Sequence, residues 1–148
     1  MEIPDYPIKD IDLYWLAGIL EGEGSFLNAR NHVKGKLYLY PRIVVTMTDR
    51  DIIDRVSSLF DTSTYIVPNK RPEDRKDQFR ALINGSRAAG LMSRLFPIMS
   101  ERRQSKIDEI LLSYEELEST EVRLKRSCSI AQKNRRRNEK GQYGKSIN

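Results

Sequence analysis

"WLAGILEGEGSF", residues 15–26, begins as an apolar helical run and ends in two acids set between glycines. Leu13, Leu16, Ile19 and Leu20 recur at helical spacing, so a helix is expected over 12–22, with Asp12 as its N-cap and Gly24 as its stop. Glu21 and Glu23 then fall where the carbonyls of the last turn are already partly negative, which ordinarily disfavours acids. Local rule-breaking of this kind is a mark of a functional site.

The rest of the chain limits what these acids can serve. A length of 148 residues suits one domain with its own core, and 39% hydrophobic with 32% charged residues is the balance of a water-soluble globular protein. No apolar stretch approaches the roughly 18 residues that span a bilayer, and the acidic start "MEIPDYPIKDID" does not read as a signal peptide. Cys128 is the single cysteine and His32 the single histidine, which excludes an intrachain disulfide and a thiolate or imidazole zinc site. A metal here has oxygen ligands and is a hard cation such as Mg²⁺ or Ca²⁺.

Charge is unevenly distributed behind a net +5. Residues 122–148 carry nine Lys/Arg and one acid, leaving seventeen Lys/Arg against twenty acids in 1–121. Within that acidic body, residues 25–48 hold Arg30, Lys34, Lys36 and Arg42 with no carboxylate, while acids crowd into 101–121 as a solvated helix face. A polyanion is the natural partner of the segregated basic surface.

Periodicity supplies the remaining elements. "SFLNAR" starts a strand, "NHVKG" reads as a turn, and "KLYLYPRIVVTM", residues 36–47, alternates as a second strand. Its Leu37, Leu39, Pro41, Ile43 and Val45 face one way and Tyr38, Tyr40, Arg42, Val44 and Thr46 the other; Pro41 calls for an edge position or a bulge. "TDRDIIDRVSSLF" is a helix capped by Thr48 or Asp49, "STYIVPNK" and "QFRALING" are strands around a polar loop, and "SRAAGLMSRLFPIM" and "SERRQSKIDEILLSYEELE" are two more helices.

Residues 16–24, LAGILEGEG, resemble the signature of the LAGLIDADG homing endonucleases, with Leu16, Ala17, Gly18 and Gly24 in place, Glu at both acidic positions and Gly22 at the small-residue position. The order of elements fits as well. The resemblance implies an α+β chain of the αββαββα homing-endonuclease fold, with a four-stranded antiparallel DNA-binding sheet backed by helices. Residues 1–121 would form the endonuclease domain and 122–148 a basic C-terminal tail.

The resemblance further implies a sequence-specific endonuclease of double-stranded DNA, dependent on Mg²⁺. Glu23 would hold the metal together with the Gly22 carbonyl, and Glu21 would be less directly involved. Gly18 and Gly22, four residues apart on one helix face, would let two motif helices approach backbone to backbone. One motif per chain then implies a homodimer on a roughly palindromic site. Arg102, or its neighbour Arg103, would stabilise charge at the phosphate, with Arg50 as a second basic residue. Met47 departs from a position that can carry a polar, water-ordering side chain.

The sheet would read the major groove through Tyr38, Tyr40, Arg42 and Val44 on the second strand, Asn69 and Arg71 on the third, and Gln78 and Arg80 on the fourth. On the first strand, Phe26 inward sends Leu27, Ala29 and Asn31 to the groove, yet Asn28 and Arg30 have the chemistry of readers; a twist or bulge would bring these two round. The tail would add sequence-independent contacts to phosphates. Implied, then, are a partner in double-stranded DNA, no membrane, no small-molecule cofactor, and a soluble intracellular setting that contains DNA: a bacterial or phage-infected cytoplasm, or an organelle. The alternative within the same fold is a non-cutting nucleic-acid binder, an intron RNA maturase or a DNA-binding regulator.

Overall fold

The structure, a computed structural model, describes residues 3–70, 73 and 75–115. Residues 122–148, expected to form the basic tail, and Arg71 lie outside them. The elements run α1 (Asp10–Glu23), β1 (Gly24–Val33), β2 (Lys36–Met47), α2 (Arg50–Phe60), β3 (Tyr65–Val67), β4 (Gln78–Asn84), α3 (Gly85–Leu95), a 3₁₀ turn (Phe96–Ile98) and α4 (residues 101–115). This is the α+β order expected from periodicity.

Four antiparallel strands lie in the order β1-β2-β4-β3. Two hairpins thus meet along β2 and β4, and α2 carries the chain between them. One sheet face, with Phe26, Ile43, Val45, Ala81 and Ile83, is buried against the helices. Leu13, Leu16 and Leu20 of α1, Ile53, Val56 and Phe60 of α2, Leu91 and Leu95 of α3, and Ile107 and Ile110 of α4 complete that core. Among the described residues no helix is long and apolar enough to cross a membrane.

Four local expectations need correction. Helix α1 begins at Asp10, after Lys9, and Asp12 caps nothing; it accepts a hydrogen bond from Arg55 Nη2 at 3.2 Å, while the Arg55 guanidinium covers the Trp15 ring at 3.9 Å. Residues Asn31–Val33 of the expected turn are strand, and the turn is Lys34–Gly35 alone. Both have positive φ, 49° and 77°, the geometry of the two-residue hairpin turn whose twist matches the flanking strands. Gly24 ends α1 without a left-handed backbone (φ −79°, ψ 150°). What excludes a side chain there is space, since a Cβ would lie 2.7 Å from the Leu20 main chain. Finally, Pro41 sits on neither an outer strand nor a bulge. It pairs with Asn28 of β1, but β4 starts pairing only at Arg42, so β2 has one neighbour at that point.

A strap before α1 ties the helices together. Tyr6 is buried and its hydroxyl donates to Leu59 O at 2.6 Å, and Arg94 Nη1 donates to Tyr6 O at 3.0 Å. Gly90 of α3 lies under this strap, where a Cβ would collide with the Pro4 carbonyl.

Candidate functional site

The two acids that end α1 have different surroundings. Glu21 accepts hydrogen bonds from Ser100 N at 3.0 Å and from Ser100 Oγ. These bonds, side chain first, hold its carboxyl below the usual carboxylate value; burial opposes them, and the charges of Arg103 and Arg102 add to the lowering. Glu23, the last residue of α1, is exposed and its side chain makes no hydrogen bond or ion pair among the described residues. Gly22 between them is exposed too.

The neighbouring arginines also divide. Arg103 Nη2 donates to Glu21 O at 3.0 Å, its Nε lies 4.0 Å from Glu21 Oε1, and its guanidinium is 5.7 Å from the Phe26 ring centre. Arg102, one residue earlier, is exposed and has no hydrogen bond or ion pair among the described residues. Arg50, at the start of α2, approaches Asp54 Oδ2 at 3.5 Å and the Phe79 ring at 5.5 Å. Glu23 directly precedes the Gly24–Val45 pair, Arg50 follows β2's last pair, Met47–Phe79, and Ser100 joins the start of α4 to Glu21. The fold thus gathers Glu23, Arg50 and Arg102 toward one end of the sheet.

The sheet face away from the helices carries Tyr38, Tyr40, Arg42, Val44 and Thr46 on β2, in register with Arg80, Leu82 and Asn84 on β4. Gln78 and Arg80 pair with Val67 and Tyr65 of β3. No strand contains an Asp or Glu. Arg42 is held in place: Nε donates to Asn84 Oδ1 at 2.7 Å and Nη2 to the Tyr40 hydroxyl at 3.0 Å, leaving Nη1 free of both. Arg80 Nε donates to Thr46 Oγ1 at 3.1 Å.

Three of the expected readers stand elsewhere, and a fourth lies outside the described residues. The β1–β2 register runs unbroken from Gly24–Val45 to Val33–Lys36, so no bulge turns β1. Asn28 and Arg30 therefore share the face of Pro41 and Leu39, and it is Leu27, Ala29 and Asn31 that join Arg42 and Tyr40. Alternation outweighs side-chain chemistry here. Asn69 lies beyond the three residues of β3, in the loop, with Nδ2 donating to Arg75 O at 3.1 Å; Arg71 is the one outside the described residues. Sequence reasoning missed Asn84, whose partnership with Arg42 follows only from the β2–β4 register.

A family profile described as the PI-PfuI endonuclease subdomain matches residues 4–71. The homing endonuclease I-CvuI, solved in complex with the I-CreI target, superposes with a TM-score of 0.58 at 13% identity over 74% of this chain and 69% of that one. The group I intron-encoded homing endonuclease I-CeuI, complexed with DNA, gives 0.57 at 14% identity over 78% and 59% of the two chains. The LAGLIDADG homing endonuclease I-GzeII, with its DNA target, gives 0.55 at 13% identity over 74% of this chain and 37% of that one. The chain has the LAGLIDADG homing-endonuclease fold. The resemblance read from residues 16–24 agrees with the profile match and with this fold. Comparison with curated protein sequences gives no match.

On this homing-endonuclease fold the donors available for a cation are oxygens. Among the described residues no three His, Cys, Asp or Glu side chains gather as a metal site. His32 lies in β1 opposite Leu37, near the hairpin turn and far along the strand from Gly24. What one chain offers is the unpartnered Glu23 carboxylate beside the main-chain carbonyls of a helix C-terminus, where partial negative charge favours a cation. The last turn of α1 contains no basic residue. That donor set fits a hard divalent cation, provided further oxygens come from outside the chain.

Proposed function

We propose that this chain is a site-specific, metal-dependent DNA endonuclease that cuts both strands of a roughly palindromic duplex as a homodimer. The observation that carries the reading is Glu23: a free, exposed carboxylate at the end of a helix whose outer face is bare. On that face Ile11 is 76% and Tyr14 63% exposed, and a Cβ on Gly18 or Gly22 would meet nothing within 4 Å. A second α1 packed there would bring a second Glu23 beside the first and add carboxylate ligands to those among the described residues of one chain. The neighbours of like fold were solved on DNA, I-CvuI in the presence of Mg and of Ca.

In this mechanism Glu23 and the Gly22 carbonyl hold Mg²⁺. When bound, the ion makes water a stronger nucleophile and offsets charge on the phosphate. Arg102 adds a cation at the same end of the sheet, free to meet the scissile phosphate, and Arg50 supplies a second. Specificity comes from the acid-free sheet face laid in the major groove, where Arg42, aimed by Asn84 and Tyr40, suits a guanine edge. Tyr38, Val44, Gln78 and Arg80 extend that face, and the basic residues of the 122–148 tail add sequence-independent affinity. Such an enzyme works wherever its DNA lies, as a homing enzyme of an intron or another mobile element.

The target sequence can be selected and tested in one experiment. Duplexes retained in Ca²⁺ from a pool of randomised palindromes are recovered, sequenced and exposed to Mg²⁺. Wild-type protein should cut both strands, and Glu23→Gln should lose cutting by orders of magnitude while still binding in Ca²⁺. Selective retention with no cutting by wild type would instead favour the non-cutting binder.

A further inference from the structure

Glu21 and Glu23 leave the same helix end, yet the Glu21 carboxylate is already engaged. Its two bonds come from Ser100, whose carbonyl in turn accepts Gln104 N at 2.8 Å, so Glu21 grips the first turn of α4. Arg103 closes the same junction from the other side, with Nη2 on the Glu21 carbonyl at 3.0 Å and Nε 4.0 Å from its carboxylate. Only 15% of the Arg103 side chain is exposed, and its Nε is buried without a hydrogen-bond acceptor. Consecutive helix residues point about 100° apart. With Arg103 held inward, Arg102 is turned out to solvent.

We infer that Glu21, Ser100 and Arg103 form a latch between the end of α1 and the start of α4, and that the latch positions Arg102 beside Glu23. Glu21 is thereby a positioning residue and not a metal ligand, each of its carboxylate oxygens being engaged by Ser100. The latch touches neither DNA nor metal, but it ties the helix bearing the free arginine to the helix bearing the free carboxylate. The inference rests on the nuclease reading for what Arg102 does, and on geometry alone for the latch itself.

The two layers are tested separately, on the full chain. Amide hydrogen exchange at residues 100–104 reads the latch without reference to cutting. Ser100→Ala and Glu21→Gln should both speed it, Ser100→Thr should restore it, and wild-type protection in both variants would overturn the latch. Single-turnover cleavage of the duplex selected in Ca²⁺ then reads its purpose. Ser100→Ala should slow cutting roughly tenfold, with unchanged affinity in Ca²⁺ and an unchanged Mg²⁺ requirement, and Ser100→Thr should rescue it. In an Arg102→Ala background the same change should cost nothing more, because the latch acts through that arginine. An equal loss in both backgrounds would reduce the latch to general scaffolding, and a raised Mg²⁺ requirement in Glu21→Gln would make Glu21 a ligand; either result overturns the inference. A wild type whose exchange behaves as expected but which cuts no selected duplex would overturn the nuclease reading instead.

Discussion

Along one face of α1, Leu13, Leu16, Ala17 and Leu20 are buried in the chain's own core; along the other, Ile11 and Tyr14 stand open and Gly18 and Gly22 carry nothing outside them. A helix that is apolar all round is at home in an interior, yet among the described residues only one side of α1 is covered. The glycines follow the same division. Gly24 is required because the Leu20 main chain already fills its side-chain space, whereas nothing among the described residues demands Gly18 or Gly22. Residues of one type, in one nine-residue motif, thus have opposite surroundings: Gly24 is hemmed in by Leu20, while Gly18 and Gly22 face open space.

Substitutions on the inner face should cost the chain most. Leu20 is fully buried between α1 and the sheet. Leu20→Ala should destabilise folding by about 2–5 kcal/mol through lost transfer free energy and the cavity left behind, as read from denaturant midpoints with an unchanged slope. A smaller loss would mean that the α1 inner face collapses readily and that the division between faces is less sharp than the burial suggests.

Gly24→Ala should come next. The added methyl falls 2.7 Å from Leu20 Cα and O, backbone atoms that cannot swing aside. Relief requires the junction of α1 and β1 to open, at about 1–3 kcal/mol. Because Glu23 sits at that junction, cutting should fall by more than stability alone explains, measured as single-turnover rate at temperatures where the variant remains folded.

What could be read in the sequence follows the same line between short-range and long-range causes. Strand β2 matches its alternating pattern at both ends, and the order of all the elements follows from periodicity, since each depends on neighbours a few residues away. Misreadings and open choices came where a distant group decides. Asp12 is drawn to Arg55 and so does not cap; Gly24 owes its identity to crowding and not to a left-handed turn; Arg102 and Arg103 separate only once Glu21 and Phe26 are brought against α4. The β1 register is a different case. Phe26 inward gave the observed faces, and preferring Asn28 and Arg30 for their chemistry set that local signal aside.

The outer face should give the smallest effect on the chain and the plainest on assembly. Gly18 is an exposed interior position of α1 with open space around it, so a larger residue meets no clash within the molecule. Gly18→Leu even favours helix by roughly 0.8 kcal/mol, because leucine loses less conformational freedom there than glycine. The isolated chain should therefore keep its circular dichroism and a well-defined unfolding transition. If two α1 helices pack through Gly18 and Gly22, however, the leucine side chains hold the backbones apart. Sedimentation should then report monomer where wild type is a dimer, and the unfolding midpoint should lose its dependence on protein concentration. Gly18→Ala, with one methyl per chain, should weaken association without abolishing it. A Gly18→Leu protein that remains a dimer would move the interface away from α1, and the exposed Ile11 and Tyr14 would need another partner. A Gly18→Leu protein that fails to fold would contradict the open space on that face, and with it the contrast between the two sides of the helix.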